Sequence, residues 1–194
     1  MRLATKVPLR LGRVYRTREF AAWSKNPPRL VKRLVRDGAL VPLAQGLYVH
    51  PRKGRFGSAP PGDAELMRSF LGEKSFVFTG SGQWNALGLG TTAVSPAVLV
   101  YNKKRTVKVR LGGRPFDLRR VAFPEKPCKE WFVVDLLENA DQAGASRAEL
   151  AEALTRAANH RRFDTARLRE MAKRYGTRRT QELVDGALAT SANA

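Results

Sequence analysis

Residues 13–51 constrain this chain most, because helix start, helix stop and turn signals crowd into a single run, RVYRTREFAAWSKNPPRLVKRLVRDGALVPLAQGLYVHP. Thr17 suits the cap of a short first helix, Arg18–Trp23, whose Phe20 and Trp23 lie three apart on one face. Ser24-Lys25-Asn26 reads as a turn. Asn26 is a good N-cap, and Pro27 fits the first helical position, where its missing N–H had no partner. The spacing predicts a second helix to about Asp37, stopped by Gly38. Leu30, Val31, Leu34 and Val35 form its apolar stripe, and Arg29, Lys32, Arg33 and Arg36 form the opposite face.

A hairpin is predicted next: Leu40–Leu43, a turn at Ala44-Gln45-Gly46, then Leu47–Val49, with Gly46 free to take a positive φ. Helix, turn, basic helix and hairpin together form the pattern of a winged helix-turn-helix, which lays its second helix in a DNA major groove. Arginine holds guanine O6 and N7 bidentately, whereas lysine acts as a point charge on phosphate. Arg29 and Arg33 are therefore the expected base readers, and Lys25, Lys32 and Arg36 the expected phosphate contacts. Asn26 lies at the same helix start. Gln45 sits at the wing tip, and His50, Arg52, Lys53 and Arg55 extend the basic surface.

Charge supports this placement. The chain carries 36 Lys/Arg against 17 Asp/Glu, a formal +19 with a pI near 11.1, which favours a polyanionic partner. Residues 1–56 hold 14 basic against 2 acidic residues, 57–126 hold 11 against 5, and 127–194 hold 11 against 10. The excess is thus concentrated on the N-terminal third. The lone Cys128 excludes an internal disulfide and a multi-cysteine zinc site. No apolar run has the length of a membrane span or a signal peptide, so a cytoplasmic protein with no membrane partner is expected.

The rest of the chain reads as α+β. Residues 52–62, RKGRFGSAPPG, have the composition of a linker, and Asp63 suits the cap of a following helix. Strands are predicted at 75–79, 97–102, 106–111 and 116–122, with Gly112-Gly113 turning between the last two, in a small, mostly antiparallel sheet. Lys103-Lys104-Arg105 falls between two strands as a secondary basic surface. Thr79-Gly80-Ser81-Gly82 fits an ordinary strand-turn-helix, since neither a Walker pattern nor a full GxGxxG is present. From Trp131 onward the period is helical, with four helices in a bundle, the second opened by the capping box Ser146-x-x-Glu149. The expected domains are a winged helix-turn-helix at 1–56 and an α+β domain at 57–194.

Gly46-Leu47-Tyr48, Thr79-Gly80, Ala86-Leu87-Gly88-Leu89 and Pro96–Val100 carry a resemblance to the AbiEi family of antitoxins and transcriptional regulators, over about residues 13–125. The resemblance implies a DNA-binding autorepressor of a two-gene toxin–antitoxin operon, acting at its own promoter. It also implies a nucleotidyltransferase-like toxin, encoded by the neighbouring gene, as a partner.

A metal-dependent enzyme would need clustered carboxylates. Those of residues 1–126 (Glu19, Asp37, Asp63, Glu65, Glu73, Asp117 and Glu125) are scattered, and no activating motif surrounds Cys128, His50 or His160. The expectation is a non-catalytic protein with neither cofactor nor metal. The alternative is a general basic or RNA-binding protein, against which the lack of paired stacking aromatics counts.

Overall fold

Tyr15 and Phe20, both fully buried, set the architecture of the N-terminal part. The computed structural model describes residues 7–54, 57–72 and 75–192, and only the backbone of 53, 54, 57, 58, 191 and 192. It is a mixed α+β fold with small sheets and seven α-helices among the described residues. Two units divide it: Met1–Lys74 with Val109–Pro115, and Ser75–Lys108 with Phe116–Ala194. The division therefore falls at residue 74, later than the expected boundary at 56.

In the first unit, strand β1 (Val14–Arg16) leads into a 3₁₀ helix (Thr17–Ala22), helix α1 (Pro27–Arg36), strand β2 (Val41–Ala44) and strand β3 (Leu47–Val49). The strands pair antiparallel in the order β1-β3-β2. The first helix is thus 3₁₀, one residue displaced from the expected Arg18–Trp23. Arg16 holds the cap position and donates its N–H to the Glu19 carboxylate at 2.8 Å, and Thr17 falls inside the helix. The i→i+3 pattern is used mostly in such short pieces.

α1 follows its signals. Asn26 Oδ1 accepts the Arg29 N–H at 3.1 Å, Pro27 stands first, and Gly38 ends the helix at φ +71°. Leu30 and Val31 are buried against Tyr15, Phe20 and Leu40, with Leu34 and Val35 half-buried beside them.

The stretch read as a linker is instead a hairpin, β4 (Arg52–Gly54) with β5 (Gly57–Ala59), in antiparallel register Arg52↔Ala59. Pro60-Pro61-Gly62 follows it and breaks the chain before helix α2 (Asp63–Leu71). Asp63 is the first residue of α2 and pairs with Arg114 at 2.5 Å; Gly62 holds the cap position. The Gly112 N–H donates to Leu43 O at 3.0 Å, which together with that pair explains why Val109–Pro115 belongs to this unit.

The second sheet contains β6 (Phe76–Thr79), β7 (Val98–Asn102), β8 (Val107–Leu111) and β9 (Arg114–Arg120) in the order β6-β7-β9-β8. β6 and β7 pair antiparallel and the two-residue Gly112-Gly113 turn joins β8 to β9 as antiparallel neighbours, while β7 and β9 run parallel, so the sheet is mixed, with one parallel pair. Burial decides the order. β9 places Phe116 and Leu118 in the core and takes the inner position, while Lys108 and Arg110 on β8 are exposed at the edge.

Helix α3 (Ser81–Ala86) follows β6, and α4 (Lys129–Glu138), α5 (Arg147–Asn159), α6 (Thr165–Tyr175) and α7 (Arg178–Ala192) complete the chain. The helical periods and the Ser146–Glu149 capping box hold: Ser146 Oγ accepts the Glu149 N–H at 3.1 Å, and Glu149 Oε2 accepts the Ser146 N–H at 2.8 Å. Trp131, Leu137, Leu154, Leu168 and Val184 share one core.

Inside that core lies a carboxylate. Asp135 Oδ2 accepts hydrogen bonds from the Thr79 hydroxyl and from Trp84 Nε1 at 2.7 Å, and Asp135 Oδ1 accepts one from Asn139 Nδ2 at 3.2 Å. Asn139 Nδ2 also donates to Tyr101 Oη at 3.0 Å, while Arg119 Nη1 donates to Asn139 Oδ1 at 3.2 Å. Burial pushes the Asp135 carboxyl above the usual carboxylate range despite these donors. Burial, and then the negative charge of Asp135, push the Tyr101 hydroxyl up as well.

The folded state therefore binds a proton at Asp135 before the unfolded chain does. The stability this proton contributes is complete below the unfolded value of about 3.9 and is lost as the pH rises through the raised folded value. Asp135→Asn keeps an oxygen for Thr79 and Trp84, which share Oδ2, but sets its amide N–H₂ against Asn139 Nδ2, and is expected to cost about 1–3 kcal/mol at neutral pH. Urea denaturation across the acid range should show the wild type gaining on the variant as the pH falls through that window. A constant gap would mean that Asp135 does not titrate on folding.

Candidate nucleic-acid interface

One stripe of α1 is committed to the core, and its other side is left to solvent. Arg29, Lys32, Arg33 and Arg36 are all exposed on that side, and Lys25 is exposed in the preceding turn. The only acid at the helix end is Asp37, whose contact with Arg36 is 3.4 Å long with both side chains largely exposed. Such a pair is worth little in water and leaves the cationic face nearly uncompensated. Asn26 at the head of α1 has its Oδ1 occupied as the cap, so its remaining polar capacity is the amide N–H₂.

The β2–β3 hairpin turns at Gln45-Gly46, with Gly46 at φ +73° and Gln45 exposed at the tip. Thr17 N–H donates to Gly46 O at 3.1 Å, which ties the tip to the start of the 3₁₀ helix. β2 carries a register irregularity between Pro42 and Ala44, where the proline offers no N–H to the ladder.

His50 has a structural partner. Its Nδ1 lies 2.6 Å from Ala39 O. A carbonyl only accepts, so Nδ1 carries the proton; the neutral ring then offers Nε2 as an acceptor, and only the imidazolium presents a donor to phosphate. The His50 backbone also continues the β1–β3 ladder, with Gly12 N–H to His50 O at 2.7 Å and His50 N–H to Arg13 O at 3.1 Å. Arg52 is exposed, and its side chain crosses Gly12, where a Cβ would stand 3.0 Å from Arg52 Nε. The side chain of Lys53 and the whole of Arg55 lie outside the described residues.

Other cations of this unit are internal struts. The Arg16 guanidinium donates to the carbonyls of Ser69 and Phe70 at the end of α2, and Arg13 pairs with Glu19 at 2.7 Å. Nothing in the local pattern distinguishes these arginines from those of α1, because their partners are dozens of residues away or on the next turn.

Lys103, Lys104 and Arg105 belong to the second unit. They are exposed on a turn built by Asn102, which is completely buried. Asn102 Oδ1 accepts the N–H groups of Lys104 and Arg105 at 2.9 and 2.8 Å, and Asn102 Nδ2 donates to Arg105 O and Arg119 O. The Thr79-Gly80-Ser81-Gly82 run is a strand-turn-helix, and the Thr79 hydroxyl is spent on Asp135. Among the described residues no group of three or more His, Cys, Asp or Glu is arranged to hold a metal, and no helix is long and apolar enough to cross a membrane.

No family model matches this chain, and no curated protein does either. Among solved structures it is similar to the crystal structure of the RV2827C protein from Mycobacterium tuberculosis, with a TM-score of 0.56 over 92% of this chain and 72% of that one. At 12% identity the likeness is one of fold.

The role assigned to His50 has a direct consequence. His50→Ala removes the tie between the loop after α1 and the end of β3. It should lower the unfolding free energy by about 1 kcal/mol, read from urea denaturation at neutral pH. Unchanged stability would mean that the Ala39 contact contributes nothing.

Proposed function

We propose that this chain is a double-stranded DNA-binding regulator, an autorepressor and antitoxin of a toxin–antitoxin operon, as its resemblance to the AbiEi family implies. In this reading the 3₁₀ helix and α1 are the two helices of a winged helix-turn-helix, and the β2–β3 hairpin is its wing. The observation that carries it is the nearly uncompensated face of Arg29, Lys32, Arg33 and Arg36, directly after a capped turn and directly before a hairpin with Gln45 at its tip. Helix α1 enters the major groove, Arg29 and Arg33 reach base edges, and Lys25, Lys32 and Arg36 neutralise phosphates. The partners in this reading are the protein's own promoter DNA and a nucleotidyltransferase-like toxin.

A gel-shift titration on DNA from upstream of the gene, against a scrambled duplex at about 150 mM salt, tests the reading. A preference of about a hundredfold or more for the native duplex supports a sequence-specific regulator. Equal, salt-sensitive binding to both duplexes leaves a general basic binder, the second reading of the sequence, and tighter binding to folded RNA redirects the assignment to RNA.

Two substitutions resolve the roles on α1. Arg33→Ala is expected to lose about 1–3 kcal/mol on the native duplex and to relax its sequence preference. Lys32→Ala should weaken every duplex alike and reduce the log–log salt slope by about one. Fluorescence anisotropy over a salt series measures both, and a uniform loss from Arg33→Ala would make Arg33 a phosphate contact.

A further inference from the structure

Two stretches remote in sequence, 88–90 and 153–162, meet around a cavity of about 370 Å³ in the second unit. They are the Gly88-Leu89-Gly90 turn, and the face of α5 with the residues after it, through Ala153, Arg156, Ala157, His160 and Arg162. We propose that this cavity binds a small organic phosphate of mononucleotide size.

The lining is divided in the way such a ligand needs. Leu89, Ala153 and Ala157 are nearly inaccessible and make an apolar floor, while Arg156, His160 and Arg162 supply the polar groups at the rim. No carboxylate lines the cavity. The nearest acid contact, Glu152 to Arg156, is 3.8 Å long with both side chains about 70% exposed, so a bound phosphate displaces it at little cost. A free inorganic ion would leave the floor unused, whereas a nucleoside body covers it. Ligand sites of this size are mostly apolar with a few placed polar groups.

Arg162 is held in position from 75 residues away. Its Nη2 donates to Leu87 O at 2.8 Å and its Nη1 to Gly88 O at 3.2 Å, leaving three of the five guanidinium N–H groups unspent on this turn. Gly88 permits the approach, since a Cβ there would stand 2.7 Å from Arg162 Nη2. The turn itself alternates in sign, with φ +65° at Gly88, no positive φ at Leu89 and +89° at Gly90. The Leu89 and Gly90 N–H groups make no hydrogen bond to another described residue.

Cations at the end of α5 also complement the helix dipole with no ligand present, and the experiment separates the two roles. The full chain is titrated with AMP, CMP, adenosine and inorganic phosphate, following the His160 ring by NMR and affinity by calorimetry. The wild type, Arg156→Gln, His160→Gln and a triple Arg29→Ala/Lys32→Ala/Arg33→Ala variant are compared, with thermal midpoints as the check on folding.

AMP or CMP is expected to shift the His160 resonances saturably, adenosine to leave them in place, and inorganic phosphate to act only more weakly. Either substitution at the rim should weaken nucleotide binding about tenfold or more, as loss of a charge-assisted hydrogen bond does, while the triple variant titrates like the wild type. The proposal is overturned if neither nucleotide moves His160 at millimolar concentration, if binding survives both rim substitutions, or if phosphate alone binds as tightly. A fall in thermal midpoint with no binding in the wild type would show that these cations serve the helix end alone.

Discussion

A buried carboxylate holds the second unit together. Asp135 stands among apolar neighbours on α4, and moving an ion into such surroundings is costly unless donors surround it. The donors come from β6 through Thr79, from α3 through Trp84 and from the end of α4 through Asn139, and Asn139 passes the network to Tyr101 on β7 and Arg119 on β9. Each partner is therefore fixed in direction as well as depth. Apolar packing alone tolerates a sliding helix, whereas a half-satisfied polar network does not, so this network specifies one seating of α4 on the sheet.

The first unit depends on a simpler constraint. Burying Leu30 and Val31 against Tyr15, Phe20 and Leu40 fixes the rotation of α1 about its axis. Once that rotation is fixed, the four cations have only one side to occupy, and the electrostatic face is a consequence of the core. The capped start at Asn26 and the stop at Gly38 limit α1 to Pro27–Arg36, a length of about 15 Å at the usual rise per residue. The hairpin tip is tied back through Thr17 and Gly46, so the surface offered by α1 and Gln45 rests on backbone hydrogen bonds as well as on side-chain packing.

The basic residues of this chain do three different physical jobs. Arg16 and Arg162 donate to backbone carbonyls and act as struts, Arg162 with guanidinium N–H groups to spare. Arg13, Arg114 and Arg119 are paired with carboxylates. Arg29, Lys32 and Arg33 take no such partner among the described residues and are exposed, which leaves their charge available to a polyanion. Net charge alone does not separate these groups, and partner geometry does.

The sequence by itself determined the elements whose causes are local. The cap at Asn26, the glycine stop at Gly38, the turn at Gly46, the Gly112-Gly113 turn and the Ser146–Glu149 capping box each follow from side-chain chemistry within a few residues. So does the two-sided character of α1. Only the tertiary structure decided what depends on contacts across long sequence gaps. The parallel placement of β9 beside β7 follows from which strand buries Phe116 and Leu118, and the Arg52–Ala59 hairpin replaced a stretch whose composition reads as linker. The tie from His50 to Ala39 drew one expected surface residue into the framework. Asp135 was visible only as an acid inside an apolar run, WFVVDLL, and Arg162 only as half of an ordinary arginine pair. Periodicity reports which face of an element is apolar, whereas the partner a polar group finds is fixed by how separate elements pack.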